Sequence, residues 1–187
     1  MKKAETVLRE LEGFGKKEFL PAIGPTKGKV LSGLIKDHGV KKVLEIGCLY
    51  GYSAILMGKE VDSLVSLEID ERHVSMATSH VEKAGLSSSV KVIHGNALDV
   101  IPTLPGKFDL LFIDGAKREY LEYLRLGERL LKKGSLVVAD NVGIFEDAMQ
   151  DYLEYVRNSG KYASKTVEVA LGGLRSGMDA MEISVKK

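Results

Sequence analysis

Short apolar segments alternate with longer amphipathic ones from residue 40 onward, and this alternation restricts the fold more than any other feature. Five segments are mostly apolar without a clean period of two, as strands are when both faces of a sheet are covered: residues 43–46, 64–69, 90–93, 110–113 and 136–139. Helical segments separate or follow them at residues 53–59, 71–84, 117–131 and 145–158. This order predicts βαβ units with right-handed crossovers, and therefore an α/β fold with a doubly wound, mostly parallel sheet.

Further elements are expected at both ends of the chain. Two strands near residues 166–169 and 180–185 would bring the sheet to seven, and two helices near residues 4–12 and 26–37 would cap the ligand cleft. Gly85 and Gly134 stand where helix C-terminal glycines belong, with Lys132 and Lys133 in the last turn. The 187 residues contain no repeat or linker, which predicts a single domain with cap helices in residues 1–40 and the sheet in residues 41–187.

Composition narrows the class of partner. Lysine plus arginine (27) nearly balances aspartate plus glutamate (26), so no strong field favours nucleic acid or an anionic membrane. The apolar runs reach only about six residues, far short of a membrane span. The single cysteine, Cys48, cannot form an internal disulfide, and glutamates interrupt any signal-like apolar start. We therefore expect a cytoplasmic protein that binds a small molecule.

The loop after the first strand is the first candidate ligand contact, because ligands of such sheets bind beyond the carboxyl ends of strands. It reads EIGCLYGYS over residues 45–53, and Gly47 and Gly51 would permit a tight turn and a close approach. The spacing lacks the middle glycine of a dinucleotide fingerprint, which disfavours NAD. Glu45 suits a cationic ligand better than a phosphate. A strand-to-helix turn without any ligand is the alternative.

The next two strands end in candidates for an adenosine site. Glu68 lies about 20 residues beyond the first glycine, where an acidic side chain can bind ribose hydroxyls, whereas Asp70 is a typical helix N-cap. This signal does not separate NAD from S-adenosylmethionine. After the third strand, backbone groups of Asn96 and Ala97 could flank an adenine, although a simple polar loop explains them equally well.

The fourth and fifth strands end in oxygen-bearing side chains. Asp114 follows one strand, and Asp140 and Asn141 follow the other. Neighbouring strands lie about 4.8 Å apart, so the three side chains would converge if these strands are adjacent. Such oxygens select hard cations such as Mg²⁺, but Asp and Asn also cap helices and shape turns. Lys117, at the start of the next helix, is a candidate general base, with a solvated lysine as the alternative.

These segments resemble the cation-dependent class I O-methyltransferases, which include catechol O-methyltransferase and the plant caffeoyl-CoA O-methyltransferases. The likeness runs from residues 21–28 through VLEIGCLYGYSA, SLEID, VIHGNALDVIP, FDLLFIDGAKREY and LVVADNV to residues 155–157 and 178–185. It implies the class I methyltransferase fold, S-adenosylmethionine as cofactor, and Mg²⁺ or another divalent cation such as Mn²⁺. It also implies methyl transfer to a hydroxyl of a small, catechol-like acceptor with adjacent oxygens.

The resemblance also implies roles for individual residues. Asp114, Asp140 and Asn141 match the metal ligands, and Lys117 matches the catalytic base. Contacts to the methionine portion of the cofactor are expected from Glu45, Gly47, Tyr50, Tyr52, Ser53, Asp114 and the backbone of Ile23. Contacts to the adenosine portion are expected from Glu68, which would hold the ribose, and from Ile69, Ala97 and Leu98.

Three departures from the family leave the acceptor undefined. Ala116 stands where mammalian catechol enzymes have an aromatic wall, and Gly172-Gly173 stands where they hold the second substrate hydroxyl with a glutamate. The segment between Asn141 and Phe145 is short where plant members carry a long substrate-recognition insertion. A more open acceptor pocket is therefore expected.

Other functions compete with this one. A tRNA methyltransferase of the same fold would need a basic rim, for which the candidates are Lys2, Lys3, Lys16, Lys17, Lys27 and Lys29, although a solvated surface explains them better. A non-catalytic cofactor-binding module would need neither Lys117 nor the metal ligands. A nicotinamide oxidoreductase is least favoured. No ligand or triad spacing relates the four histidines, His38, His73, His80 and His94. The sequence leaves the oligomeric state, a homodimer included, open.

Overall fold

The computed structural model describes residues 2–15, 22–171 and 177–187, which form one seven-stranded sheet flanked by helices. Its strands are β1 (Lys42–Ile46), β2 (Ser63–Glu68), β3 (Val90–His94), β4 (Phe108–Ile113), β5 (Leu131–Ala139), β6 (Tyr162–Ala170) and β7 (Met178–Lys186). Their order is β3-β2-β1-β4-β5-β7-β6. The first five are parallel, and β7 runs antiparallel to β5 and β6. The predicted doubly wound, mostly parallel sheet is confirmed.

Helices cover both faces of the sheet. They are α1 (Lys2–Gly15), α2 (Gly24–Asp37), α3 (Tyr52–Gly58), α4 (Glu71–Ala84), α5 (Ala97–Val100), α6 (Tyr120–Gly127) and α7 (Gln150–Asn158). Alternate residues of each strand enter two separate cores: Val43 and Phe112 pack with α1 to α4, whereas Leu44 and Ile113 pack with α5 to α7. The mostly apolar strands follow from this burial on both faces.

The prediction that Gly134 ends a helix is wrong. The helix predicted over residues 117–131 is limited to α6, with 3₁₀ turns at Lys117–Glu119 and Glu128–Leu130. Because Leu131 is buried and pairs with Phe108, the chain enters β5 there, and Lys132, Lys133 and Gly134 belong to that strand. Gly134 has φ +84° and lies where the register between β5 and β4 shifts. The Ser135 hydroxyl donates a hydrogen bond to the Phe108 carbonyl at 2.9 Å and so connects this irregular segment to β4.

Other helix ends follow the sequence more closely. Gly85 caps α4 in the left-handed conformation with φ +73°, as predicted. The helix expected over residues 145–158 starts only at Gln150, after a 3₁₀ turn at Glu146–Ala148. The two N-terminal helices are present, but α1 packs against α3 and α4 and α2 packs against α3. Of the described residues 2–15 and 22–37, Ala22 and Ile23, which precede α2, line the cleft.

Within residues 2–15, 22–171 and 177–187, none of the helices has the length and apolar character needed to cross a bilayer.

Candidate active site

A cleft of about 670 Å³ opens beyond the carboxyl ends of the parallel strands. It lies where the strand order reverses between β1 and β4, which is the position expected for a ligand in this architecture. Most of the predicted site residues line it: Ile23, Gly47, Tyr50, Tyr52, Ser53, Glu68, Ile69, Ala97, Asp114, Lys117 and Asn141. Glu45, Leu98 and Asp140 are not among the lining residues.

The loop after β1 lies directly against the end of β4. Gly47 has φ +84°, and a Cβ atom there would come within 2.4 Å of the Asp114 carbonyl oxygen. Gly51, with φ +86°, faces Ala77 of α4 at 3.2 Å. Both positions therefore require glycine, because a side chain would meet backbone as well as adopt an unfavourable φ. The close approach brings the loop and Asp114 to one wall of the cleft.

Glu68 holds two cleft loops together. One carboxylate oxygen accepts hydrogen bonds from the backbone N–H groups of Cys48 (3.3 Å) and Leu49 (2.9 Å). The other accepts from Ile69 (2.9 Å) and Asp70 (3.0 Å). This organising role was not visible in the sequence, and the ribose contact stays a prediction. Asp70 is the N-cap of α4, as expected, since its side chain accepts from the Arg72 N–H at 2.8 Å.

Glu45 lies beneath the cleft rather than in its wall. Its side chain is fully buried, and the Ser66 hydroxyl donates to one carboxylate oxygen at 2.6 Å. The other oxygen has no hydrogen-bond partner among the described residues. Burial, which outweighs the opposing effect of the nearby Ser53 and Ser66 hydroxyls, raises the pKa of Glu45 to about 7. The predicted contact with the methionine portion of a cofactor would therefore need an opening from the cleft to this buried carboxyl.

Asp114, Asp140 and Asn141 are brought together by adjacent strands. β4 pairs with β5 in the register Ile113↔Ala139, so the residues that follow each strand lie side by side. Burial raises the pKa of Asp114 to about 6, and repulsion by Asp140 adds to that effect. Burial also raises the pKa of Asp140. Two carboxyl groups that ionise reluctantly in each other's presence would be stabilised by a cation between them.

The donor chemistry of these three residues fits a hard divalent cation. Lys117 engages one oxygen of Asp114, Lys27 engages one oxygen of Asp140, and the Asn141 side-chain N–H donates to Asp179 at 2.8 Å. Each residue thus keeps a side-chain oxygen that makes no hydrogen bond or ion pair with the described part of the chain. No group of three or more His, Cys, Asp or Glu side chains in residues 2–15, 22–171 and 177–187 could hold a metal instead.

Asp140 belongs to a buried ion-pair network that the sequence analysis did not predict. The Lys27 ammonium lies 2.5 Å from Asp140 Oδ1 and 2.5 Å from Asp179 Oδ2, and its side chain is 3% exposed. Burial alone would raise the pKa of Asp179, but hydrogen bonds from Lys27 and Asn141 lower it. For Lys27 the sequence analysis favoured a solvated surface over a basic rim, and both interpretations are wrong because its charge is buried and paired.

Three of the other lysines considered for a basic rim lie within the described residues. Lys2, Lys3 and Lys29 are exposed, and Lys16 and Lys17 lie outside the described residues. Pro21, where the family resemblance begins, and the departure at Gly172-Gly173 also lie outside them.

Lys117 is fixed next to the metal candidates. Its ammonium donates to Asp114 Oδ1 and to the Tyr120 hydroxyl, each at 2.8 Å. Tyr120 in turn donates to the Asp140 carbonyl at 3.2 Å. The Phe145 ring centroid lies 5.9 Å from the same ammonium. Lys117 therefore links the ends of β4 and β5, directly through Asp114 and through Tyr120 to Asp140.

The other end of the cleft carries the adenosine candidates. Ala97 lines the cleft, and Asn96 caps α5 by accepting from the Leu98 N–H at 3.0 Å, so that N–H is not free for a ligand. Three histidines surround this end. His80 contacts the Tyr50 carbonyl at 2.8 Å, His94 contacts the Ile69 carbonyl at 3.1 Å, and His73 lines the cleft itself. Their wide spacing in the sequence gave no signal of this grouping.

Comparisons with known proteins agree on one family. The sequence profile of a family described as O-methyltransferase matches residues 2–162. The chain is 40% identical over 132 residues to a catechol O-methyltransferase of Niastella koreensis, covering 66% of this chain and 60% of that protein. It is 32% identical over 171 residues to catechol O-methyltransferase B of Danio rerio, covering 86% of this chain and 64% of that protein. The chain thus spans less than two thirds of the length of these curated relatives.

Solved structures show the same architecture. An O-methyltransferase from Bacillus cereus in complex with SAH superposes with a TM-score of 0.86 at 27% identity, covering 97% of this chain and 91% of that chain. The O-methyltransferase TomG from Streptomyces achromogenes, in complex with SAM, superposes with a TM-score of 0.82 at 25% identity, covering 100% of this chain and 88% of that chain. The sheet described above is therefore the class I methyltransferase fold.

Proposed function

The chain belongs to the O-methyltransferase family, and we propose that it transfers a methyl group from S-adenosylmethionine to a hydroxyl oxygen of a small acceptor with adjacent oxygens. The observation that carries this proposal is the meeting of Asp114, Asp140 and Asn141 at the ends of adjacent strands, beside a cleft that Lys117 also lines. Neither a nicotinamide site nor a simple binding module needs such a group of residues.

S-adenosylmethionine is the cofactor that the cleft supports best. Two structural neighbours hold SAH or SAM, and the loop around Gly47 follows β1 as a ligand-binding loop should. Glu68, Ile69 and Ala97 lie further along the same cleft, where the adenosine portion would extend. The methionine portion would then lie near Gly47, Tyr50, Tyr52 and Ser53, with its sulfonium directed towards Asp114 and Lys117.

The acceptor must lose a proton before it can attack the methyl group. A phenol of pKa about 10 is only about 0.1% ionised at neutral pH, a deficit of roughly 4 kcal/mol. Asp114, Asp140 and Asn141 would hold a divalent cation such as Mg²⁺, which would lower the pKa of a bound hydroxyl. Lys117, in its neutral amine form, would take the proton of that hydroxyl, and its contacts with Asp114 and Tyr120 support this role.

The acceptor end of the cleft has an apolar wall. Ile144 and Phe145, each 44% exposed, follow the metal-bearing strand and line the cleft. Ala116, which also lines the cleft, adds no bulky side chain. An aromatic ring on the apolar wall would present two adjacent oxygens to the cation site, and alignment with the cofactor would favour in-line transfer. This arrangement supports a catechol-like acceptor.

Calorimetry with S-adenosylhomocysteine and NAD tests the cofactor assignment. We expect saturable binding of S-adenosylhomocysteine and none of NAD. Tight NAD binding, or no binding of the demethylated cofactor, would refute the proposed function.

A further inference from the structure

Glu119 and Tyr123 form a hydrogen-bonded pair in the cleft that the proposed reaction does not use. Glu119 ends the 3₁₀ turn after Asp114, and Tyr123 lies in α6. The Tyr123 hydroxyl donates a short hydrogen bond to Glu119 Oε2. Both residues line the cleft, although Tyr123 is only 4% exposed. A carboxylate and a phenol in a ligand cleft are groups that can select a ligand.

The pair lies towards the adenosine end of the cleft. A Cβ atom on Gly115 would meet the Tyr123 ring at 3.1 Å and Ile46 of β1 at 3.2 Å, so Tyr123 occupies the space that a side chain at position 115 would fill. The helix that carries Tyr123, α6, packs against α5, which begins at Ala97. Tyr120 and Lys117, by contrast, contact β4 and β5 at the metal end. The turn therefore directs Lys117 towards the acceptor and Glu119 away from it.

Among the carboxylates that line the described part of the cleft, Glu119 is the one to which the proposed function gives no role. Glu68 already accepts four backbone N–H groups, and Asp114 is paired with Lys117. Glu119 Oε2 accepts from Tyr123, and its Oε1 makes no hydrogen bond within the described ranges. Burial and the bond to Glu119 raise the pKa of the Tyr123 phenol, which keeps it a proton donor and holds the carboxylate in place.

Apart from Glu119, the described side chains near α5 offer few polar groups that could recognise an adenine ring. Ala97 has no polar side chain, and the side-chain oxygen of Asn96, Oδ1, accepts the capping hydrogen bond from the Leu98 N–H of α5. The exocyclic amine of an adenine donates two hydrogen bonds and requires an acceptor. Ile69, 67% exposed, offers an apolar surface for the face of the ring.

We propose that Glu119, positioned by Tyr123, accepts a hydrogen bond from the exocyclic amine of the cofactor's adenine and thereby selects a 6-aminopurine over a 6-oxopurine. This inference rests on the proposed function, because it concerns the same cofactor. A carbonyl at that position would face the carboxylate with like partial charge and no proton. A site built to accept a ligand N–H rejects the analogue that lacks it more strongly than an apolar pocket does.

The test compares S-adenosylhomocysteine with its deaminated analogue, S-inosylhomocysteine, by calorimetry on the full chain. The wild type should prefer the 6-amino compound by about tenfold or more, as loss of a hydrogen bond to a charged group implies. Glu119→Gln should lower that ratio several-fold, because an amide can also donate to the 6-oxo group. Tyr123→Phe should lower the ratio less, because the carboxylate remains but loses its anchor. Glu122→Gln, at an exposed position of the same helix, is the matched control and should leave the ratio unchanged.

An unchanged ratio in Glu119→Gln, with S-adenosylhomocysteine still bound, would overturn this inference and leave the proposed function intact. Absence of S-adenosylhomocysteine binding to the wild type would overturn both.

Discussion

Glu45→Gln should change how stability depends on pH, because Glu45 is a fully buried carboxyl, one oxygen of which has no hydrogen-bond partner in the described part of the chain. Burial raises its pKa from the ordinary 4.5 to about 7. Between these values the native state holds a proton that the unfolded chain has released. Stability contributed by the neutral carboxyl is therefore complete below pH 4.5 and is lost as pH rises through 7.

The size of this loss in stability follows from the interval between the ordinary pKa of 4.5 and the raised pKa of about 7. As pH rises through this interval, the free energy of unfolding falls by about 1.4 kcal/mol for each pH unit, and by about 3 kcal/mol over the whole interval. Glutamine has nearly the shape of the protonated carboxyl and no charge at any pH. The variant should match the wild type at about pH 4.5 and exceed its stability by about 3 kcal/mol at about pH 8.

Urea denaturation of the cofactor-free protein at both pH values measures this difference, since the cofactor's ammonium group would favour the ionised carboxyl. Glu122→Gln, which changes an exposed carboxylate, controls for the altered net charge. A Glu45→Gln variant that is no more stable than the wild type at the higher pH, or whose advantage is the same at both, would refute the reasoning.

Three further predictions concern residues that shape the site. Lys27→Met removes the cation between Asp140 and Asp179 and should lower the free energy of unfolding, measured with denaturant, by about 3–5 kcal/mol. Lys29→Met, at an exposed position of the same helix, should change it little. Equal stability of the two variants would contradict the buried network. Gly47→Ala places a Cβ atom 2.4 Å from the Asp114 carbonyl oxygen and should abolish measurable S-adenosylhomocysteine binding in calorimetry. Gly33→Ala, which meets nothing within 4 Å, should bind normally, and normal binding by both would count against the tight loop. Glu68→Ala should weaken cofactor binding by roughly 1.5–3 kcal/mol through lost hydrogen bonds to an ionised acceptor, and an unchanged dissociation constant would argue against Glu68 as the ribose partner.

Much of the site could be predicted because the carboxyl ends of parallel strands meet at one edge. Asp114 and Asp140 are far apart in sequence, yet the residues after β4 and β5 were expected to converge if the two strands are adjacent. The register Ile113↔Ala139 shows that the strands are adjacent. Local rules also placed the cap at Asp70 and the C-terminal glycine at Gly85. Periodicity and capping are short-range signals, so they do not depend on the tertiary structure.

The contacts that were missed are long-range. Lys27 is 113 residues from Asp140 and 152 from Asp179, and no local pattern distinguishes such a lysine from a solvated one. Gly134 was assigned to a helix end because lysines precede it, but burial of Leu131 against Phe108 overrides that local signal. The four backbone bonds of Glu68 depend on how two loops fold over one side chain.

The dependence of methyl transfer on a divalent cation tests the central claim most directly. Transfer from S-adenosylmethionine to a catechol probe should vanish in EDTA and return when Mg²⁺ or Mn²⁺ is added in excess. Asp140→Ala should abolish transfer at every metal concentration while S-adenosylhomocysteine still binds, because a cation at this position acts on the acceptor oxygen. Full activity in the chelator, or in Asp140→Ala, would contradict the account.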